Sequence, residues 1–403
     1  MDTTSRRSGE AGEDAPFVPE ITADIVADIA SRAPEIERAR RLPADLIASL
    51  KDAGCLRMLV PTAYGGDARA LPDVLRTLET LARADGATGW VVGQVASAQL
   101  ILAFFPSRAL EDIYANGPDV FATGAVAPKG RITRDGVVDG DGWRVTGQWP
   151  FVSGCEDASW IYVQSMVIQQ QRLQVGPDDV PALRLAVFPA REVEILDTWS
   201  VSGLRGTGSH DVRLQKTSCP DWRTVTLGGG LTRADGTIFS IPPLDQGGLY
   251  IAAVALGIAR GALDDVATLA AAGKRPAFSR DRLAASPVFQ DRLGDAFMQW
   301  QSARALLYSQ AEAAWIAVRA GRAPALHERA VLRATSATTI AAAARVVDEA
   351  YTLAGGSALF DASPLQRRFR DVHAATQHTY AGRYYLGVVG GLLAGDAPDP
   401  ALF

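Results

Sequence analysis

The sequence predicts an α+β protein: an N-terminal helical domain (18–118), a central β-domain (119–227) and a C-terminal four-helix bundle (228–403). Three observations predict it. Apolar residues recur at helical spacing in the first quarter of the chain. The middle is built of short runs rich in β-branched and aromatic residues, broken by turn signals. Long alanine-rich amphipathic runs then return and continue to the end.

The opening residues, 1–17, are polar, lack an apolar signal core and read as a disordered lead-in. Helical spacing begins with TADIVADIASRAPEIERARR at Thr22. It continues in PADLIASLKDAG, where Gly54 stands where a helix ends, and in LPDVLRTLETLARADG. In the β-domain, GVVDGDGWRVTG reads as two strands joined by a Gly/Asp turn. WIYVQSMVI, LRLAVFPA, VEILDTW and DVRLQ bring the expected total to seven or eight strands, closed as a barrel or stacked as a sandwich. The runs starting at Leu249, Val288 and Ala325, with the segment after Pro364, supply the four bundle helices. Their small residues permit close helix contact, and their length implies that another subunit covers part of the apolar surface.

Composition narrows the function. Of 403 residues, 48% are hydrophobic and 21% charged, the balance of a soluble protein with a large core. The net charge of −5 and the lack of a basic stripe argue against nucleic-acid binding. Cys55, Cys155 and Cys219 are scattered and odd in number, so neither a disulfide framework nor a zinc site is expected. No uninterrupted apolar run spans a bilayer, and a cytoplasmic location is expected. Phosphate-loop and dinucleotide fingerprints are missing; Gly203, Gly206 and Gly208 fall short of the latter and lie between strands.

Three segments carry candidate chemistry. In GQWPFVSGCEDASW, Phe151 and Ser153 differ by two, which on a strand points both to one side. An aromatic face beside a small hydroxyl suits a flat aromatic ligand, although strand aromatics are as readily core residues. SGLRGTGSHDV is a glycine loop that lets backbone approach a ligand closely, or an irregular strand connection. In SPLQRRFRDVHAATQH, Ser363, Pro364 and Gln366 make a helix start with a capping box. Arg367 and Asp371 fall one turn apart and are set to pair. That helix would carry His373 and His378 about 140° apart, too divergent for joint metal binding. Ala374 and Ala375 leave room beside His378.

Taken in order and spacing, WPFVSG, GLRGTGSHDV, RPAF and GGSALFDASPLQRRFRD resemble the acyl-CoA dehydrogenase superfamily over nearly the whole chain. Dehydrogenases of this superfamily use a glutamate in GGxGYxxExPxER or in an earlier LDxER. Here those positions hold Ala362 and Gly247. Neither residue takes a proton, and Asp361 beside Ala362 points differently. The chain is more similar to the two-component flavin-dependent monooxygenases (group D). That resemblance implies an oxygenase component that receives reduced flavin, FMNH2 or FADH2, from a separate NAD(P)H-dependent flavin reductase. With O2 it forms a flavin hydroperoxide and hydroxylates or N/S-oxygenates a small organic substrate, aromatic or of secondary metabolism.

The resemblance also implies residue roles. Ser153 stands beside flavin N5, and Phe151 near the isoalloxazine. His378 is the active-site acid or base. Arg275 binds the phosphate of a neighbouring subunit's flavin, Phe278 touches the ring system, and the Gly355–Gly356 backbone lies close by. Arg205 either assists or makes an ion pair in the β-domain. His373 is structural, and His210 and His327 are structural or exposed. Phenol hydroxylases of the group carry a substrate-binding histidine in the N-terminal domain. The corresponding stretch here has none and offers Trp90, Gln94 and Ser97 as a mixed pocket wall. A homotetramer is expected. The alternatives are a dehydrogenase or oxidase with a relocated base, and a non-catalytic flavin-binding relative.

Overall fold

Five helices open the part of the chain that the computed structural model describes, residues 21–135, 142–176, 179–226, 234–276 and 280–396. They are α1 (Ala23–Ala39), α2 (Ala44–Asp52), α3 (Leu71–Ala84), α4 (Gly86–Leu102) and α5 (Ser107–Ile113). The expected lead-in and Phe278 lie outside the described residues. Thr22 caps α1 by accepting from the Ile25 N–H. Asp85 ends α3 and starts α4, its carboxylate accepting from both the N–H and the hydroxyl of Thr88. α4 is rich in Gly, Ala and Val and is buried almost all round, so it runs through the core as the central post of the N-terminal domain.

Eight strands follow: β1 (Ala122–Asp135), β2 (Gly142–Val152), β3 (Trp160–Gln169), β4 (Arg172–Leu173), β5 (Leu183–Pro189), β6 (Glu194–Leu196), β7 (His210–Pro220) and β8 (Thr224–Val225). They form one sheet in the order β6-β7-β2-β1-β3-β5-β8, with β4 paired to β3. β1 and β2 pair antiparallel up to Asp135 and Gly142; the first strand and the Gly/Asp turn read in GVVDGDGWRVTG lie outside the described residues. The barrel expectation is corrected: among the described residues the sheet is open. Its edge strands, β6 and β8, have three and two residues, too few to make a closing ladder. Alternation along β3 gives each face its own core. Ile161 and Val163 pack with Trp149, Phe188 and Val212. Tyr162 points the other way, with Leu185 and Val187, onto Leu102, Phe105 and Ile113 of the helical domain.

The last part comprises α6 (Pro243–Ala271), α7 (Pro287–Arg319), α8 (Leu326–Ala354), α9 (Pro364–Ala375) and α10 (Tyr384–Leu393). The three long helices pack together, while α9 lies on α6 and α8 and α10 lies on α8. The run Leu326–Leu359 is long and apolar enough on average to cross a membrane, although charged residues such as Arg333 and Arg345 interrupt it, as the reading of the sequence has it. Its most apolar stretch is 78% buried inside the protein, as in a core helix. Asp245, in the first turn of α6, is fully buried and bonded by the guanidinium groups of Arg329 and Arg333 from α8. Arg333 also reaches the Tyr385 hydroxyl of α10. This ion cluster fixes the register of three helices.

Candidate active site

Ser153 sits one residue beyond the end of β2, where a bulge shifts the pairing with β7 between Trp149 and Val152. The irregular backbone puts Phe151 at φ 64, in the left-handed region that a bulky residue rarely adopts. Its ring is 71% exposed and meets Trp199 edge-on at 6.1 Å, whereas Ser153 is buried. The expectation that Phe151 and Ser153 share one side is thus corrected. The bulge breaks the two-residue period and sends the ring out and the hydroxyl in.

Inside, the Ser153 hydroxyl accepts from the indole N–H of Trp90 at 3.1 Å. It also lies 2.7 Å from the Ser209 hydroxyl, which is 2.6 Å from that of Thr207. Thr207 in turn donates to the Leu204 carbonyl at 2.8 Å. Trp90, Gln94 and Ser97 lie at i, i+4 and i+7 on α4, one face of the helix, and Gln94 and Ser97 are its partly open positions.

His378 is not on a helix as expected. α9 ends at Ala375, and His378 caps a short 3₁₀ turn, Thr379–Ala381, accepting the Tyr380 N–H on Nδ1 at 3.3 Å. The capping box at the start of α9 does not form either. Ser363 makes no cap bond; Gln366 instead donates to the Asp361 carbonyl and accepts from Arg370. The His378 ring meets Trp90 edge-on at 5.7 Å and stacks on Tyr380 at 5.1 Å. Trp90 therefore joins Ser153 and His378 into one cluster. Burial pushes the His378 pKa down to about 4, so the ring is neutral near pH 7. With Nδ1 accepting a backbone N–H, the proton sits on Nε2, and the neutral ring offers a donor. His373 bonds Asp348 at 2.8 Å and packs on Phe369, away from this cluster. His210 is buried and accepts the Thr198 and Trp199 N–H groups, and His327 is exposed.

Neither family base position holds a carboxylate, and one is closed to it. Ala362 is exposed. A Cβ on Gly247 would meet the Tyr380 ring and hydroxyl at 3.0 Å, so Tyr380 fills the space a glutamate there would need. All three cysteines are buried, and burial pushes each thiol up to about 12, so none supplies a thiolate.

The glycine loop packs on protein rather than standing open. A Cβ on Gly203 would lie 2.0 Å from the Arg370 carbonyl of α9, and one on Gly206 would lie 2.4 Å from Ile36 of α1. Asp371 of α9 accepts the Leu204 N–H at 2.6 Å, the bond it makes in place of the expected hydrogen-bonded pair with Arg367. Arg370 reaches Ser202 and Glu37. Burial, then the nearby Asp85 carboxylate, raise the Asp371 pKa to about 7. α9 thus sets the height of the loop that carries Thr207 and Ser209. Arg205 spends a donor on the Val201 carbonyl within the same loop.

The flavin expected from the resemblance fits these residues. Phe151 and Trp199 present an exposed aromatic corner suited to a flat ring. Ser153 has a hydroxyl with bonding capacity left. Gly355 and Gly356, the first at the C-cap of α8, are exposed, and a Cβ on either would meet nothing within 4 Å. Arg275 is exposed and, among the described residues, donates to the Arg280 carbonyl at 2.8 Å, leaving donors for a phosphate. The residues sequence reasoning missed are Trp199, Thr207, Ser209 and Tyr380. Hydroxyl residues in a glycine loop were the one available signal; the others are brought in only by folding.

The chain is similar to known proteins over most of its length. Residues 19–110 match the family model "Acyl-CoA dehydrogenase, N-terminal domain", and residues 249–382 match "Acyl-CoA dehydrogenase, C-terminal domain". The chain is 32% identical to the indole-3-acetate monooxygenase of Pseudomonas putida over 92% of both proteins. It is 31% identical to the FADH(2)-dependent resorcinol hydroxylase, oxygenase component, of a Rhizobium species over 88% of both. Among solved structures, the 3-HSA hydroxylase of a Rhodococcus species superposes with a TM-score of 0.86 at 27% identity, covering 94% of this chain and 97% of that one.

Proposed function

The chain belongs to the acyl-CoA dehydrogenase superfamily, in its flavin-dependent monooxygenase branch, and from that premise we propose that it oxygenates a small aromatic or heteroaromatic substrate as the oxygenase component of a two-component system. A separate NAD(P)H-dependent reductase supplies the reduced flavin, FMN or FAD, and the flavin when bound supplies the activation of O2. Phe151 holds it with Ser153 at N5, while Arg275, Gly355 and Gly356 reach the flavin of a neighbouring subunit. Trp90, Gln94 and Ser97 form one wall of the substrate space. His378, neutral and donating a hydrogen bond through Nε2, orients the substrate.

One observation carries this reading. The two carboxylate seats of the dehydrogenases are Ala362 and a glycine roofed by Tyr380, while a Ser153–Trp90–His378 cluster, its serine and indole buried and its imidazole half-buried, stands ready. Oxygen transfer needs a dry site with fixed donors, which this cluster supplies. The relatives' names, which include indole-3-acetate and resorcinol, make aromatic acids and phenols the first substrates to try. We further read the protein as a cytoplasmic homotetramer. Support comes from large apolar side chains left exposed on α7 and beyond α8, namely Val288, Met298, Ile316, Leu359 and Phe360.

The test uses dithionite-reduced FMN or FAD, ¹⁸O₂ and a panel of aromatic acids and phenols, with products read by mass spectrometry. Transfer of one ¹⁸O into product is expected. Bleaching of bound oxidised flavin by an acyl-CoA under anaerobic conditions, with no ¹⁸O product from any substrate, would overturn the proposal. His378→Ala should lower product yield at least tenfold and raise the share of O2 released as H2O2, while flavin binding changes little.

A further inference from the structure

The hydroxyls of Ser153, Ser209 and Thr207 form a continuous chain whose two ends have fixed polarity. At one end stands Trp90, whose indole nitrogen can only donate, and it lies 3.1 Å from Ser153. At the other end stands the Leu204 carbonyl, which can only accept, 2.8 Å from Thr207. Between them lie two hydroxyl contacts of 2.7 and 2.6 Å. Each hydroxyl has one proton to give. Only one assignment makes all four bonds: Trp90 donates to Ser153, Ser153 to Ser209, Ser209 to Thr207 and Thr207 to Leu204. Reversing the middle of the chain forfeits the Thr207–Leu204 bond. Ser153, Ser209 and Thr207 are all buried, so water does not replace a lost partner at little cost.

We propose that Trp90, Ser209 and Thr207 are positioning residues that hold the Ser153 hydroxyl as a hydrogen-bond acceptor toward its ligand, so that the site selects reduced flavin over oxidised flavin. This rests on the reading that Ser153 meets flavin N5. Reduced flavin carries a proton on N5 and donates; oxidised flavin has only a lone pair there and accepts. With the Ser153 proton already committed to Ser209, the reduced form completes the network. The oxidised form must reverse the relay and lose one bond. A net hydrogen bond of ordinary strength corresponds to roughly fivefold in affinity. An oxygenase that takes reduced flavin from a partner and must discard the oxidised product gains directly from such a bias.

Anaerobic equilibrium titrations with oxidised and with dithionite-reduced FMN and FAD give the ratio of the two affinities without turnover. Wild-type protein should favour the reduced form. Ser209→Ala frees the Ser153 proton, and Thr207→Val removes the acceptor for Ser209. Either should tighten oxidised flavin and lower the reduced-to-oxidised ratio roughly fivefold. Ser209→Thr, which keeps a hydroxyl, should restore the ratio. A purely structural role would weaken both redox forms together. If a variant fails to fold by circular dichroism, the other carries the test. Normal binding of both forms with an unchanged ratio in the variants overturns the relay but leaves the monooxygenase reading intact. Failure of wild-type protein to bind either form overturns that reading and the relay with it.

Discussion

Acidifying the protein from about pH 8 to about pH 5 should leave His378 neutral, although a free histidine would become mostly protonated over that range. The cause is burial between Trp90 and Tyr380, which pushes its pKa from 6.5 down to about 4. At pH 6 an unperturbed ring would be roughly three-quarters charged, and the buried one about 1% charged. Product formation with saturating reduced flavin should therefore show no inflection near pH 6.5 attributable to this ring. Stability follows the same linkage. The folded state binds fewer protons than the unfolded chain between these two pKa values. Its contribution is fully present above about pH 6.5 and is lost as pH falls toward 4. The ring is not wholly enclosed, so the loss is at most about 3 kcal/mol. Two assays check this: the pH profile of kcat/KM, and urea unfolding at several pH values for wild type and His378→Gln. The variant should lose part of the acid-side slope in stability. An inflection near pH 6.5 in wild type that vanishes in His378→Gln would refute the reasoning, because it would mean that the ring titrates as if solvated.

Other perturbations probe the frame of the site. Asp371→Asn keeps an acceptor for the Leu204 N–H but removes a carboxyl whose pKa burial raises to about 7. The folded state holds that proton longer than the unfolded chain, so wild-type stability should fall as pH rises from about 4 to about 7. The variant should lack that fall and be more stable at pH 8 by up to about 4 kcal/mol in urea unfolding. Gly203→Ala places a methyl against the Arg370 carbonyl, where backbone must shift. It should destabilise by about 1–3 kcal/mol and weaken flavin binding by disturbing the loop that carries Ser209. Asp245→Asn removes the buried charge that Arg329 and Arg333 share and should destabilise by about 3–5 kcal/mol in thermal or urea unfolding.

Much of the architecture was legible because periodicity is a local property. The repeat of TADIVADIASRAPEIERARR gives α1, and WIYVQSMVI gives β3, without reference to the rest of the chain. Closure of the sheet was misread because it depends on edge strands of two and three residues, which carry almost no pattern. The end of α9 was misplaced for a related reason. Nothing near Ala375 is a helix stop; the chain turns there so that His378 can cap the next turn and pack on Trp90. Phe151 and Ser153 were identified as a pair, but the bulge that separates them arises from pairing with β7, residues far along the chain.

Residue types and spacing alone determined the order of helices, strands and helices. They also determined the lack of a carboxylate at 362 and 247 and the presence of a serine and a histidine at positions that resemble a monooxygenase. These are properties of covalent structure and of neighbours within a few residues. What the tertiary structure decided is the state of those groups. It buried His378 and so kept it neutral, filled the space above Gly247 with Tyr380, and strung Trp90, Ser153, Ser209 and Thr207 into a relay with one direction. Desolvation and hydrogen-bond polarity depend on which distant segments surround a group, and only the folded chain brings α4, the glycine loop and the turn after α9 to one place.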